Sequence, residues 1–135
     1  MIEGLGIDLT PLERVDRLAK RHPQFVNRIL TPDEQEQYRQ FSGQRAVEYL
    51  AGRWSLKESF GKAMGTGIGK TVGFQDVEIV DNQSGAPVVT RSPFVGRVHA
   101  SVSHTATLVM TEIILESEHE KWLVVVYEKQ RIRLT

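Results

Sequence analysis

The chain has 135 residues, of which 40% are hydrophobic and 25% are charged, a composition typical of one globular domain with a modest core. Its 17 basic and 17 acidic residues balance, so no overall field favours nucleic acid or a membrane surface, and we expect neither as a partner. Cysteine is absent, which excludes disulfides, thiolate zinc sites and a cysteine nucleophile and fits a reducing compartment. No signal-peptide pattern and no apolar run of ~20 residues is present, so we expect a single cytoplasmic domain over residues 1–135.

The first nine residues place four aliphatic side chains around two glycines, which predicts a buried strand ending at Asp8-Leu9. Asp8 is unusual there, because a carboxylate in or at the end of a buried strand needs a partner. A metal ion, a helix N-terminus or an arginine would serve. The alternative, equally favoured by the residues alone, is that Asp8 caps the turn into the next helix.

Thr10-Pro11-Leu12-Glu13 predicts a helix start with Thr10 as N-cap, and the helix is expected to run to about Arg21. From Pro11 to Leu30 there are five basic residues and two acidic ones. Such a stripe is either a solvated face or a docking surface for an acidic partner. Its basic members are Arg14, Arg17, Lys20, Arg21 and Arg28.

A second helix is predicted from Thr31 to about Phe41, and a long helix from about Gln44 to Met64. In the long helix Glu58, Lys62 and Gly65 follow at i, i+4 and i+7 and share one face. The glycine-rich exit Gly65-Thr66-Gly67-Ile68-Gly69 lets the backbone approach a ligand closely. This pattern suits a metal-bound phosphate. The alternative is an exposed ion pair followed by a C-capping glycine, and the local pattern alone favours this alternative.

Arg53 falls on the apolar side of the long helix, so its guanidinium either extends to solvent or meets an anion.

Beyond Val72 the hydrophobic period changes to that of strands. A hairpin is predicted from Val77–Ile79 through the turn residues 81–85 to a return strand starting at Pro87. Further strands are expected at 98–103, 108–115 and 122–127. Helices first and antiparallel strands later predict an α+β fold.

Other chemical motifs are absent. Gly69-Lys70-Thr71 lacks the preceding glycine and the strand-to-helix context of a P-loop. The four histidines have no metal-ligand spacing, and His104, at the predicted end of a strand, is by its position alone a structural residue.

Several of these features occur in one order: GIDL with Asp8, an arginine-bearing first helix, RWSLKESFGKAMGTGIG, SGAP in a hairpin, and HASVSH. Over Met1 to about Glu116 the sequence resembles the holo-acyl-carrier-protein synthases, the small bacterial 4′-phosphopantetheinyl transferases. The resemblance implies an N-terminal strand and helices packed on an antiparallel sheet. It also implies Mg²⁺-dependent transfer of 4′-phosphopantetheine from coenzyme A to a serine of apo-acyl carrier protein, in support of fatty acid biosynthesis, with release of adenosine 3′,5′-bisphosphate.

The resemblance also implies roles for particular residues. Asp8, Glu58 and Lys62 correspond to catalytic residues, with Asp8 and Glu58 as Mg²⁺ ligands and Lys62 on a coenzyme A phosphate. The further coenzyme A contacts that it implies are Arg45, Arg53, Gly65, Thr66, Gly67, Gly85, Pro87 and His104. The family's basic surface for carrier protein corresponds to Arg14, Arg21 and Arg28.

The resemblance further implies a homotrimer with active sites between subunits. The chain departs from the family at Gln44, where a second basic residue would lie beside Arg45, and at Ala86, where a lysine is frequent. Residues 117–135 extend beyond the resemblance.

Two other functional hypotheses compete with the transferase. One is a binding module with a degraded site, and the other is a structural trimer domain in which Glu58 and Lys62 form a simple ion pair.

Overall fold

The computed structural model describes residues 1–118 of the chain and has the predicted α+β architecture. In chain order its elements are β1 (Ile2–Pro11), α1 (Leu12–Arg21), α2 (Phe25–Ile29), α3 (Pro32–Tyr38), α4 (Gly43–Met64), a 3₁₀ turn (Phe74–Asp76), β2 (Glu78–Asp81), β3 (Pro87–Arg91), β4 (Arg97–His104) and β5 (Leu108–Glu116). An antiparallel sheet has the order β1-β5-β4, and β2 and β3 form a separate hairpin. The strand expected over 122–127 lies outside the described residues.

Strand β1 forms but runs to Pro11, beyond the predicted end at Asp8-Leu9, and the prediction that its aliphatic side chains are buried is wrong. Leu5, Ile7 and Leu9 are each more than half exposed. The inner face of β1 is instead formed by Gly4 and Gly6, where a Cβ atom would overlap backbone carbonyl groups of α4. Because successive side chains of a strand alternate between faces, the close approach of α4 over the glycines turns the aliphatic residues outward.

The predicted start of α1 is wrong by one residue. Thr10 is not an N-cap but a strand residue, paired with Val109 in β5, and Pro11 is the N-cap, with no side-chain capping bond. The strand continues because Leu12 N–H donates to Thr107 O (2.9 Å), which extends the pairing with β5 to the first residue of the helix. The predicted end of α1 at Arg21 is confirmed.

Two other helix boundaries follow local signals, whereas α3 ends at Tyr38, before the predicted end at about Phe41. Thr31 and Glu34 form the predicted capping box of α3, and α4 ends at Gly65, which adopts a left-handed conformation with φ 77°. The short helix α2 was not predicted.

Helix α4 crosses the inner face of the sheet and separates two apolar clusters. Its first half packs with α1, α2 and β5 around Leu50, and its second half packs with β2 and β5 around Phe60. A buried ion pair joins the layers: Lys57 Nζ donates to Glu34 Oε1 (2.6 Å) and to the carbonyl oxygens of Ile29 (2.6 Å) and Phe74 (2.9 Å). None of the helices in residues 1–118 is long and apolar enough to cross a membrane.

Candidate active site

Asp8, Glu58 and Lys62 come together where β1 passes over the second half of α4. Lys62 Nζ donates to Asp8 Oδ1 (3.3 Å) and to the Ile7 carbonyl oxygen (3.0 Å). Lys62 pairs with Asp8 across elements, whereas no Glu58–Lys62 ion pair forms within residues 1–118. The simple intrahelical pair that the spacing suggested is therefore not what the structure contains.

The Glu58 carboxyl group interacts electrostatically with Asp8. Burial raises the pKa of the Glu58 carboxyl above its ordinary value, and the negative charge of Asp8 raises this pKa further. Lys62 and Arg14 act in the opposite direction. Two carboxylates that repel each other beside one ammonium group form a site that a divalent cation would stabilise.

Buried hydroxyl groups surround the inner side of Asp8. Thr10 and Ser55 both donate to Asp8 Oδ2, at 2.5 Å and 2.7 Å. Behind Ser55 lie Thr111 on β5 and Ser59 one turn further along α4, with Oγ–Oγ1 distances of 2.8 Å and 2.7 Å to Thr111.

The glycine-rich exit of α4 folds back onto the helix. Gly65 N–H donates to Lys62 O (3.0 Å), and the amides of Thr66 and Gly67 both donate to Gly61 O, at 3.2 and 2.9 Å. The exit therefore caps the helix, as the local pattern favoured. These three amides are engaged with the helix, so a ligand that contacts 65–67 would meet the exposed backbone and side-chain surface.

A separate cleft of about 570 Å³ opens between the first half of α4, the β2–β3 turn and β4. Five of the residues assigned to coenzyme A by resemblance line it: Arg45, Arg53, Gly85, Pro87 and His104. The remaining assigned residues (Lys62 and 65–67) belong to the other half of α4 and do not line this cleft. On one chain, the candidate site is thus divided into a carboxylate corner (Asp8, Glu58, Lys62) and an arginine cleft.

Within the arginine cleft, Arg53 is almost fully buried and its Nη2 donates to Asp81. Arg45 Nη2 lies 3.6 Å from the same carboxylate. Arg53 also lies over the Tyr49 ring, 4.3 Å from its centroid, and its buried Nε has no hydrogen-bond partner in the described structure. The cleft therefore holds two guanidinium groups and two acidic residues, because Glu48 also lines it, 4.0 Å from Arg45 Nη1 and 3.8 Å from His104 Nε2.

The basic stripe predicted on α1 is exposed. Arg14, Arg17 and Arg21 make no ion pair within the described part of the chain, whereas Lys20 pairs with Asp16 (2.9 Å). Beside the stripe, Phe25 and Arg28 help to line a pocket of about 370 Å³. The Phe25 ring stacks on Trp54 with a centroid distance of 5.6 Å. This surface, referred to below as the basic docking face, combines free guanidinium groups with an aromatic pocket.

Sequence reasoning missed Asp81 in the cleft and the hydroxyl groups under Asp8. Asp81 appeared only as a turn residue. Ser55 and Ser59, an i, i+4 pair flanking Glu58 in a buried helix, were a usable signal, because buried hydroxyls need partners.

Comparisons with known proteins show the family of the chain. A sequence model described as the 4′-phosphopantetheinyl transferase superfamily matches residues 4–122. The holo-[acyl-carrier-protein] synthase of Limosilactobacillus reuteri (strain DSM 20016) is 69% identical over 120 residues, which cover 89% of this chain and 100% of that protein. The enzyme of the same name from Levilactobacillus brevis is 59% identical over 122 residues, covering 90% and 100%.

Solved structures give the same assignment. The crystal structure of a holo-(acyl-carrier-protein) synthase from Bacillus anthracis str. Ames in complex with CoA (3′,5′-ADP) is 37% identical, with a TM-score of 0.81 over 87% of this chain and 99% of that one. The Helicobacter pylori enzyme in complex with coenzyme A is 28% identical, with a TM-score of 0.73 over 83% and 99%. The chain therefore belongs to the 4′-phosphopantetheinyl transferase superfamily, among its holo-[acyl-carrier-protein] synthases.

Proposed function

We propose that this protein transfers 4′-phosphopantetheine from coenzyme A to a serine of apo-acyl carrier protein, with Mg²⁺, and releases adenosine 3′,5′-bisphosphate. The observation that carries the proposal is the convergence of Asp8 from β1 with Glu58 and Lys62 from α4. Its biological setting would be fatty acid biosynthesis in the cytoplasm, which the absence of cysteine fits.

The donor set suits Mg²⁺. This ion binds through one or two carboxylates and completes its shell with waters and substrate phosphates. Asp8 and Glu58 supply two carboxylates, and no cluster of three or more acidic or histidine ligands occurs in residues 1–118. When bound, the cation would neutralise negative charge on the diphosphate of coenzyme A.

The transfer places specific demands on the chain's own residues. The serine hydroxyl oxygen of the carrier forms a bond to the phosphorus that bears the pantetheine, while the bond from this phosphorus to the bridging diphosphate oxygen breaks. Lys62, half exposed beside Asp8, would stabilise charge on the departing phosphate. We assign Glu58 as the acceptor of the serine proton, directly or through water.

The arginine cleft would hold the nucleotide end of coenzyme A. The exposed Arg45 is a suitable donor to a phosphate, because guanidinium groups bind phosphate through several hydrogen bonds, and Arg53 lines the same cleft. Gly85, at φ 83° in the hairpin turn, leaves open space above the backbone of the cleft.

The basic docking face would receive the carrier protein. Its guanidinium groups would steer an acidic surface toward the site: Arg14 and Arg21 make no ion pair within residues 1–118, and Arg28 lies beside the Phe25 pocket. Arg14 also lies close enough to influence Glu58 electrostatically. Added salt should therefore weaken carrier binding by screening.

A homotrimer with active sites between subunits would join the two halves of the site. On one chain the carboxylate corner and the arginine cleft are separate. The outer sheet face meanwhile exposes Leu5, Ile7, Leu9 and Met110, each at least half accessible. A second copy that covers this face would bury the apolar row. Sedimentation showing stable monomers at working concentrations would contradict this assembly.

The test of the activity is mass spectrometry of apo-acyl carrier protein incubated with this protein, coenzyme A and Mg²⁺. We expect a mass gain equal to phosphopantetheine, lost on addition of EDTA and in Glu58→Ala. No gain with several carriers, from a folded protein that binds coenzyme A, would contradict the proposed transfer.

A further inference from the structure

Four hydroxyl side chains form a continuous buried cluster beneath Asp8. They come from three elements, β1, α4 and β5, and each is at most 3% exposed. Their residues are Thr10, Ser55, Ser59 and Thr111. The surrounding interface between α4 and the sheet is otherwise apolar, formed by residues such as Leu56 and Ile113. Buried hydroxyls confer no packing advantage over aliphatic groups of similar size, so their position next to a site carboxylate calls for an explanation.

The hydrogen bonds of the cluster have one consistent direction. Ser55 has a single hydroxyl proton and donates it to Asp8 Oδ2 (2.7 Å). The 2.8 Å contact between Ser55 and Thr111 must then have Thr111 as donor. With the Thr111 proton used, Ser59 becomes the donor in the 2.7 Å contact to Thr111 Oγ1, and it shares this proton with the Thr111 carbonyl oxygen at 3.2 Å. The chain therefore runs Ser59 to Thr111 to Ser55 to Asp8.

This direction has a consequence for Asp8. Thr10 Oγ1 also donates to Oδ2, at 2.5 Å. A carboxylate oxygen has two lone pairs, so both acceptor positions of Oδ2 are used inside the protein. The other oxygen, Oδ1, faces Lys62, whose Nζ lies 3.3 Å away. Donors arranged in series polarise one another and strengthen the terminal bond.

We infer that these hydroxyls form a positioning network that holds Asp8 Oδ2 inward and presents Oδ1 alone to the metal. The metal in this inference rests on the proposed function. Ser55 and Thr10 are the direct positioning residues, and Thr111 acts through Ser55. Without them the carboxylate is free to rotate about its terminal torsion, and binding a cation has to order it first. Residues that orient a metal ligand typically change metal affinity by about 10–100-fold.

The test is direct binding of Mn²⁺, as a spectroscopic substitute for Mg²⁺, measured by electron paramagnetic resonance on the full chain without substrates. Ser55→Ala should weaken Mn²⁺ binding about tenfold. Ser59→Ala is the matched control, because Ser59 is on the same helix, equally buried and in the same cluster, but does not contact Asp8. It should change binding less than about twofold, since it removes only the far end of the polarised chain.

Two isosteric substitutions separate orientation from packing. Thr10→Val removes the second direct donor and should also weaken Mn²⁺ binding, and it replaces Ser55→Ala if that variant does not fold. Thr111→Val should have an intermediate effect, whereas Thr111→Ser keeps the hydroxyl and should restore wild-type binding.

Unchanged Mn²⁺ affinity in folded Ser55→Ala and Thr10→Val would overturn the inference while leaving the proposed function intact. Equal losses in Ser55→Ala and Ser59→Ala would also overturn it, because the effect would then be one of packing. A wild-type protein that binds no Mn²⁺ and transfers no phosphopantetheine would contradict the proposed function itself, and the inference with it.

Discussion

Helix α4 carries two lysine–carboxylate pairs only five residues apart, and they differ in almost every physical respect. Lys57 and Glu34 are both 0% exposed with Nζ and Oε1 2.6 Å apart, whereas the Lys62 side chain is 53% exposed and lies 3.3 Å from Asp8. Burial lowers the pKa of Lys57, and the charge of Glu34 opposes that change.

The two pairs differ in how far protein atoms fill the hydrogen-bonding positions of each lysine and carboxylate. All three donor positions of Lys57 are filled by protein oxygens, and Glu34 also accepts from the amides of Thr31 (2.8 Å) and Ile79 (2.7 Å). Nothing remains for a ligand, so this pair holds three helices, the 3₁₀ turn and β2 together. Lys62 keeps contact with water, which would allow it to exchange partners on binding the proposed substrate. Four predictions test this contrast.

The largest expected effect is on stability. Lys57→Met should lower the free energy of unfolding by about 3–5 kcal/mol, because it leaves Glu34 as an unpaired buried carboxylate. Urea denaturation measures this loss. Lys62→Met is the matched control and should cost at most about 1 kcal/mol, since an exposed pair contributes little. Similar losses in both variants would remove the distinction.

For activity, we expect the larger effect at Lys62, the lysine that contributes less to stability. Lys62→Met should lower the transfer rate by about 10²–10³-fold, the range found when a donor that stabilises transition-state charge is removed. Transfer is measured by carrier-protein mass change with a time course, on protein whose unfolding curve matches wild type. A stable Lys62→Met variant with an unaltered rate would show that the Lys62–Asp8 pair has no catalytic part.

The Arg53–Asp81 pair should affect both stability and ligand binding, because Arg53 is buried but Asp81 lines the cleft. Asp81→Asn should destabilise the ligand-free protein by about 1–3 kcal/mol, since it replaces a charge-assisted hydrogen bond to the buried Arg53 guanidinium by one to a neutral amide oxygen. Coenzyme A should recover more of this loss than 3′-dephospho-coenzyme A does, as its extra phosphate replaces the carboxylate. Thermal shifts measure both, with exposed Asp33→Asn as control. Equal recovery by the two ligands would contradict phosphate binding beside Arg53.

The smallest effect concerns Glu58 in metal-free protein. Its folded-state pKa is raised above 4.5, so the folded protein binds this proton more tightly than the unfolded chain, and stability falls as pH rises above about 4.5. Glu58→Gln removes that loss. In EDTA at pH 7 its melting temperature should exceed that of wild type by about 1–3 °C, and the two should converge near pH 4. A parallel pH dependence in both proteins would contradict the raised pKa.

Much of the fold was predictable because its signals are local. The capping box at Thr31, the glycine that ends α4 and the turn residues before Pro87 each act within a few residues of the chain, and each formed where expected. Thr10 shows the limit of such signals. Its surroundings match the sequence pattern of a helix N-terminus, but pairing with β5 keeps it in a strand. The hydrogen bonds of the sheet outweigh a local capping preference.

The candidate site was predictable only in part. Asp8 and Glu58 were singled out because an acid in an aliphatic strand and an acid beside a glycine-rich exit are unusual, and the family resemblance joined them. The partners of these residues were not predictable. Ser55 and Thr111 are 56 residues apart, and Arg53 and Asp81 are 28 apart, so no pattern within one element connects them.

Apart from α2 and the end of β1, local sequence patterns therefore predicted the order and type of the elements in residues 1–118, since helix and strand periods and caps are properties of neighbouring residues. Only the tertiary structure decided which face of β1 lies inside, which oxygen of Asp8 is held by hydroxyls, and which lysine of α4 is structural. Those outcomes depend on what packs across the sheet. Gly4 and Gly6 admit α4 so closely that the aliphatic side of β1 turns outward and Asp8 comes to lie against the helix.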